Sequence, residues 1–330
     1  MLDALAVDLS YGPDTPPQVL ARKKFLIKQQ LDLFLKDQKL GTIDPTKPIF
    51  YYLGRYDYSQ KGIDKLPAIM TRVKELGAQM IVIGPSIDPT QTQEQKVYDD
   101  LMAISMRSRP RPNAPVGEGN LPQGLIVIAD PRESKQDLRG RAPNPPFKYQ
   151  GVAGDLIRAA VDLGVFPSKY EPCGLVQGEA WMFGADVCAT DTGGFRDTVI
   201  TKGRDQNGCL VPSLFATGQW TQAAQLDLFR EKIDKAVTDI KPAIAALSAE
   251  VDLSTTPTAV QEYWERRGRI MKRAVESGWT TSPDDDKLPP VDKARLLYRH
   301  ARDWARKDDK GNFIMRGKIH VPSVVPVLKA

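Results

Sequence analysis

The sequence has few of the residues that build disulfide frameworks and metal sites. Its 330 residues include only three cysteines and two histidines. Cys173, Cys188 and Cys209 are odd in number, lie on separate predicted elements and lack CxxC spacing. This pattern predicts neither a disulfide framework nor a zinc site, and we expect the cysteines to be small buried hydrophobic residues.

Long apolar runs and a secretion signal are also absent from the sequence. No apolar run approaches the roughly 18 residues that a membrane span requires. The N-terminal stretch MLDALAVDLSYGP lacks the basic-then-apolar pattern of a signal peptide. We therefore expect a cytoplasmic protein with no membrane span.

Charge of one sign does not dominate the sequence either. The net charge is +5, and the hydrophobic and charged fractions of 41% and 26% are those of an ordinary globular protein. The densest basic stretch, MRSRPRPNAP at 106–115, has the composition of a nucleic-acid contact or of a solvated proline-rich loop. We favour the loop and expect no nucleic-acid partner.

Apolar strand patterns alternate with helical patterns over the first two thirds of the chain. Strands are predicted at 48–55, 78–84, 125–130, and in the segments VDLGVFPS, ADVCAT and GCLVPS; helices are predicted at 19–40 and 63–76, and between the later strands. Continuous apolar strands separated by helices are typical of a parallel sheet covered on both faces. The fold class predicted is α/β, with one Rossmann-like domain at 48–216, an N-terminal helical segment at 1–47 and a helical C-terminal extension and tail at 217–330.

Two cations follow the first predicted strand, where an open parallel sheet forms its crevice. The stretch GRYDYSQKG places Arg55 and Lys61 on a loop that leads into a helix. Cations beside the free N–H groups of a helix start suit a diphosphate. The alternative is that both are ordinary surface residues.

Two carboxylates flank a second candidate site, in FPSKYEPCGLVQGEAWMFG. Glu171 lies at the turn after a strand, and Glu179 follows eight residues later, about two helical turns deeper. Each is suited to accept hydrogen bonds from vicinal hydroxyls of a sugar or a ribose. The alternative, equally weighted, is that Glu171 caps the helix and Glu179 is an ordinary helix residue.

The helix of this stretch is predicted to start at Pro172, where the missing N–H of proline has no cost. The amides of Cys173, Gly174 and Leu175 are then exposed to the crevice, which favours an anionic or polyhydroxyl ligand.

A glycine pair follows the next predicted strand, in TDTGGFRDTV. Thr192, Gly193 and Gly194 allow a phosphate or sugar to approach the backbone closely. The alternative is a tight turn before a helix.

These motifs together resemble a known family. The run FPSKYEPCGLVQGEAWMFGADVCATDTGGFRDTV, with GRYDYSQKGID before it, is similar to the glycogen and starch synthases and related retaining glycosyltransferases of the two-Rossmann-domain (GT-B) type. The resemblance runs from about Ile49 to Leu210, with three short motifs in the family's order.

The resemblance implies a role for each candidate residue. Glu171 would contact the transferred glucose, and Glu179 the ribose of ADP-glucose or UDP-glucose. Arg55 and Lys61 would neutralise the diphosphate and stabilise it as the leaving group. The remaining positions would hold the sugar and phosphate: Cys173, Gly174, Leu175, Thr192, Gly193 and Gly194.

The family is metal-independent, so the resemblance implies no metal and no cofactor. A run of three acids, Asp284, Asp285 and Asp286, has the pattern of a metal-binding DxD motif. It lies in the proline-flanked stretch SPDDDKLPP, and we interpret these residues as solvated acids.

The sequence departs from the family at its N-terminus. Family members carry an N-terminal Rossmann domain with the acceptor surface and a histidine near the reacting sugar, whereas fewer than fifty residues precede the first strand here. His300 and His320 lie in the C-terminal tail and do not match that position. We expect the chain to be the donor-binding half, with the acceptor half on a longer parent chain or on a partner chain.

Two functions are compatible with this expectation. The first is the donor site of a hexosyltransferase that acts on a glucan or protein acceptor. The second is a catalytically inactive sugar-nucleotide-binding or regulatory subunit.

Overall fold

The computed structural model describes residues 11–85, 92–113, 115, 119–130, 152–172, 174–213 and 221–276. The chain divides into two compact units, Met1–Trp279 and Thr280–Ala330, and all described residues belong to the first. Several predicted features lie outside the described residues: Cys173, the acidic stretch 282–290, the part of the helical C-terminal extension and tail after residue 276, and both histidines.

Helices and strands alternate along the first unit. The described helices are α1 (Pro17–Asp37), α2 (Leu66–Glu75), α3 (Thr92–Arg107), α4 (Val152–Ala160), α5 (Leu175–Met182), α6 (Gly193–Thr198), α7 (Gln222–Ala245) and α8 (Thr258–Glu276). The described strands are β1 (Ile49–Leu53), β2 (Gln79–Pro85), β3 (Leu125–Asp130), β4 (Leu163–Phe166), β5 (Asp186–Asp191) and β6 (Gly208–Pro212). A 3-10 turn, Ile63–Lys65, precedes α2.

The six strands form one parallel sheet in the order β3-β2-β1-β4-β5-β6. This is the doubly wound Rossmann order, in which the chain reverses its direction across the sheet between β1 and β4. The predicted Rossmann-like α/β fold is therefore confirmed. Ligands of such sheets bind at the carboxyl ends of the strands, next to this switch point.

Both faces of the sheet are buried, because successive strand residues point to opposite sides. On β1, Phe50 and Tyr52 pack into one hydrophobic cluster, together with α2 and α7. Ile49 and Tyr51 pack into the other, together with α1 and α5. All four side chains are at most 1% exposed, which explains the continuous apolar pattern of the strand.

The two helices after the sheet are part of the core of this unit. Phe229 of α7 and Trp264 of α8 are both fully buried. Helix α7 packs against α2 and β6, and α8 packs against α1 and α5. The domain boundaries at 47/48 and 216/217 stay predictions, and described helices on either side of them pack in the same compact unit.

A buried charge cluster joins α1 and α8 at the amino edge of the sheet. Asp162, which precedes β4, binds Lys28 of α1 at 2.6 Å and Arg267 of α8 at 3.2 Å. Lys24 donates to the Val161 carbonyl at 2.7 Å. Burial opposes the ionisation of Asp162, but Lys28, Arg267 and Lys24 hold the pKa of its carboxyl below the ordinary value. We refer to Lys24, Lys28, Asp162 and Arg267 as the amino-edge cluster.

None of the helices within the described ranges combines the length and the apolar character that crossing a membrane demands.

Candidate functional site

The candidate site lies where the loops after β1 and β4 meet, at the switch point of the sheet. Gln60 accepts hydrogen bonds at its carbonyl from the amides of Lys169, at 2.7 Å, and Tyr170, at 3.3 Å. Gly62 has a φ of 62°, and a Cβ placed there would lie 1.8 Å from the Pro167 carbonyl oxygen. Only glycine therefore allows the two loops to approach this closely.

An ion pair occupies this junction. Lys61 Nζ lies 2.5 Å from Glu171 Oε2, and the two side chains are 18% and 8% exposed. The Ser168 hydroxyl donates to the same carboxylate oxygen at 3.3 Å, and the Gly174 amide donates to Oε1 at 3.3 Å. The structure thus brings together two candidates that are 110 residues apart in the sequence.

The helix after Glu171 begins later than predicted. Its first residue is Leu175, and Gly174 precedes it in the left-handed conformation, with φ 63° and ψ 61°. A left-handed residue cannot belong to a right-handed helix, so the prediction that the helix starts at Pro172 is wrong. The Gly174 amide, just before the helix, donates to the Glu171 carboxylate. This contact is of the kind expected if Glu171 caps the helix.

The glycine pair packs directly against Glu171. The Gly194 amide donates to the Glu171 carbonyl at 2.9 Å. Gly193 has a φ of 43°, and a Cβ there would lie 2.0 Å from the same carbonyl oxygen. Thr192 is the residue before α6 and is buried. These three residues therefore lie in the site, and the glycines position the backbone of Glu171.

Arg55 lies on the same loop as Lys61 but makes different contacts. Its side chain is 61% exposed and lies 3.6 Å from Asp57, and it donates to Gln60 Oε1 at 3.1 Å. Burial opposes the ionisation of Asp57, but hydrogen bonds from Ser59 and Gln60 and the charge of Arg55 lower its pKa. Arg55 is thus held by its own loop, while Lys61 binds Glu171.

Glu179 lies on α5 and binds Arg158, a residue that no sequence motif indicated. Arg158 of α4 donates to Glu179 Oε2 from Nε at 3.1 Å and from Nη2 at 3.0 Å. The side chain of Arg158 is 15% exposed and that of Glu179 is 43% exposed. Glu179 is therefore anchored to α4 rather than to the Lys61–Glu171 pair.

Three contact residues of the site were missed, and each has a weak signal in the sequence. Arg158 is a basic residue in the otherwise mainly apolar segment LIRAAV, and Ser168 follows Pro167 at the end of a strand. Gly62 follows Lys61 directly. The Arg158 contact depends on the distance between α4 and α5, and the contacts of Ser168 and Gly62 depend on the distance between the loops after β1 and β4. A local sequence pattern reveals neither distance.

Comparison with known proteins places these motifs in a family context. The chain is 25% identical over 230 residues to glycogen synthase 2 of Agrobacterium fabrum, covering 69% of this chain and 37% of that protein. It is 28% identical over 164 residues to the glycogen synthase of Nitrosospira multiformis, covering 49% of this chain and 25% of that protein. No family model matches the chain.

Comparison with solved structures supports the same fold. The chain is similar to the catalytic domain of starch synthase IV from Arabidopsis thaliana bound to ADP and acarbose, with a TM-score of 0.51 and 18% identity. That match covers 88% of this chain and 44% of the starch synthase chain.

The chain matches only part of each of these proteins. The chain spans about a quarter to two fifths of the length of the two glycogen synthases. The match to them, together with the Rossmann-like sheet shared with starch synthase IV, confirms the predicted resemblance. Over the matched part, the chain is similar in sequence to the glycogen synthases, and it shares its fold with starch synthase IV.

Proposed function

We propose that this chain binds the sugar donor of a retaining glycosyltransferase. In this proposal a glucose or similar hexose passes from ADP-glucose or UDP-glucose to a glucan or protein acceptor, and an acceptor half on the same parent chain or a partner chain completes the enzyme. The observation that carries the proposal is the Lys61–Glu171 pair, enclosed by two loops at the switch point of the sheet.

When the donor binds, Lys61 can exchange its partner, from the Glu171 carboxylate to the diphosphate. The diphosphate draws Lys61 away from Glu171, because a phosphate oxygen accepts a charge-assisted hydrogen bond as readily as a carboxylate does. Glu171 keeps the Ser168 hydroxyl and the Gly174 amide, so its carboxylate stays in place. It is then available to the sugar hydroxyls.

The same arrangement supports the transfer step. Lys61, with Arg55 on the same loop, offsets the negative charge that develops on the departing diphosphate. As the bond between the glucose C1 and the diphosphate oxygen breaks, a diphosphate oxygen takes the proton of the acceptor hydroxyl, and the acceptor oxygen bonds to C1 on the same face of the sugar. Glu171 holds the glucose together with the amide of Leu175, and Glu179 accepts hydrogen bonds from the ribose hydroxyls.

Ligand-induced stabilisation of the chain tests the proposal. ADP, UDP, ADP-glucose and UDP-glucose are added separately, and at about 100 times the dissociation constant a ligand of the folded state adds about 2.7 kcal/mol of stability. Lys61→Met is expected to weaken this effect, whereas Lys96→Met, in an exposed pair on α3, is expected to leave it unchanged. If none of the four nucleotides raises the melting temperature, the donor-site proposal is wrong.

Transfer of labelled glucose then separates the enzyme from the inactive binding subunit. The chain is incubated with the nucleotide sugar that it binds and with glycogen, with and without candidate partner chains. Label in the polymer supports the enzyme. Binding without label under every combination supports the regulatory subunit.

A further inference from the structure

The Arg158–Glu179 pair has a geometry that leaves half of a carboxylate open. Two of the three guanidinium nitrogens, Nε and Nη2, donate to the same oxygen, Oε2, at 3.1 and 3.0 Å. Within the described part of the chain, Glu179 Oε1 makes no hydrogen bond, and 43% of the Glu179 side chain is exposed. Arg158 therefore holds one oxygen of a side chain that is itself partly open to solvent.

The number of lone pairs shows what the open oxygen can accept. An ionised carboxylate offers about four acceptor positions on its two oxygens. The two N–H groups of Arg158 occupy those of Oε2, so two positions on Oε1 stay free. Two free positions on one oxygen match the two hydroxyl donors of a vicinal diol, such as the 2′- and 3′-hydroxyls of a ribose.

The two residues also differ in how far they are buried. Arg158 is 15% exposed, and it lies on α4, which packs against α1. Glu179 is more exposed and lies on the short helix α5. A long carboxylate side chain that is fixed before its ligand arrives loses less conformational entropy on binding. Arg158, the more buried of the two, is placed to restrict the Glu179 side chain through its two hydrogen bonds.

We propose that Arg158 is a positioning residue that orients Glu179 toward the ribose diol of the nucleotide, and so makes the site prefer ribonucleotides to 2′-deoxyribonucleotides. The proposal rests on the proposed function, since it assumes a sugar nucleotide in this site. It adds a residue to the site and a measurable preference between two ligand classes.

Calorimetry with matched nucleotides tests the proposal. The chain is titrated with ADP and 2′-deoxy-ADP, or with UDP and 2′-deoxy-UDP, and with pyrophosphate as a ligand that has no ribose. One charge-assisted hydrogen bond lost with the 2′-hydroxyl corresponds to a ribo-over-deoxy preference of about tenfold in the wild-type chain. Glu179→Ala and Arg158→Ala are each expected to reduce that preference to near one, and the double variant to reduce it no further.

Two further variants serve as controls. Arg158→Lys keeps the positive charge but cannot donate two parallel hydrogen bonds, so it is expected to retain only part of the preference. Arg72→Ala removes another interhelical arginine, which binds Asp234 between α2 and α7 with two hydrogen bonds. It is expected to leave the preference at its wild-type value. Pyrophosphate affinity is expected to stay the same in all four single variants.

Several outcomes would overturn the proposal. If Arg158→Ala lowers stability but keeps the preference, Arg158 only braces α4 against α5. If it raises ribonucleotide affinity, Arg158 competes with the ribose for Glu179. Should Arg158→Ala fail to fold, an unchanged preference in Arg158→Lys and Glu179→Gln has the same meaning. A wild-type chain that binds pyrophosphate or ADP without a ribose preference refutes this inference alone, whereas one that binds no nucleotide refutes the proposed function as well.

Discussion

Breaking the Lys61–Glu171 pair should cost the chain measurable stability even without a ligand. The perturbations are Lys61→Met, which keeps the aliphatic stem, and Glu171→Gln, which keeps the shape of the carboxylate. Both partners lie largely inside the protein, at 18% and 8% exposure, and their charged atoms are 2.5 Å apart. Water therefore replaces the lost partner poorly in either variant.

The expected size follows from the contacts that Glu171 keeps. Without Lys61, its carboxylate has the Ser168 hydroxyl and the Gly174 amide, each at 3.3 Å. A hydrogen bond to a charged group contributes about 1.5–3 kcal/mol, and an exposed pair contributes far less. We expect a coupling of about 2 kcal/mol between the two residues. Loss of that free energy in a variant lowers the melting temperature by about 4–8 °C in a unit of this size.

A double-mutant cycle in urea measures this coupling. The free energy of unfolding is determined for the wild type, both single variants and the double variant, because the cycle isolates the pair from other effects of each change. Lys96→Met and Asp100→Asn form the control cycle, since these side chains are 75% and 48% exposed, and a coupling of at most about 0.5 kcal/mol is expected between them. A Lys61–Glu171 coupling no larger than that of the control would refute the reasoning.

Two further predictions concern the loops and the amino-edge cluster. Gly62→Ala places a Cβ 1.8 Å from the Pro167 carbonyl at a φ of 62°, so it should cost more than the roughly 1–2 kcal/mol of a left-handed alanine. Gly203→Ala, at a φ of 83° in open space, should cost only that amount; equal losses in urea unfolding would contradict the close approach. Asp162→Asn should cost about 3–5 kcal/mol because two buried cations lose their carboxylate. Since the pKa of Asp162 is lower in the folded chain than in the unfolded one, its contribution is complete above the unfolded value of about 4 and is lost as the pH falls through the folded value. Urea unfolding from pH 7 to pH 3 measures this, and a wild-type chain whose stability does not fall in acid would contradict it.

The sequence was sufficient to predict the sheet because its strands carry a strong local signal. The third strand, Leu125–Asp130, has the bounds that its apolar run indicates. A strand buried on both faces needs apolar residues at every position, and such a run is visible without knowledge of its neighbours. The start of α5 was not predictable in the same way, because the left-handed turn at Gly174 interrupts the helix without changing the hydrophobic pattern.

The site was predictable only in part, for a related reason. The positions of Lys61 and Glu171 follow from the rule that ligands bind at the switch point, since both residues come after strands that meet there. The Arg158–Glu179 contact depends on how near α4 lies to α5. The contact of Gly193 and Gly194 with the Glu171 carbonyl depends on the distance between two loops. Neither distance is encoded in a short motif.

The two edges of the sheet are physically connected through α5. At its amino-terminal end, α5 adjoins Glu171 and carries Glu179 one turn further on. At its other end, the Gly184 carbonyl accepts a hydrogen bond from Arg267 of α8 at 2.5 Å, and Arg267 also belongs to the amino-edge cluster. Because α8 packs along α5 and Arg267 binds the Gly184 carbonyl just beyond it, α8 supports the helix on which the proposed ribose contact depends. The helices after the sheet therefore belong to the framework of the site, although none of their residues was a candidate for binding the sugar nucleotide.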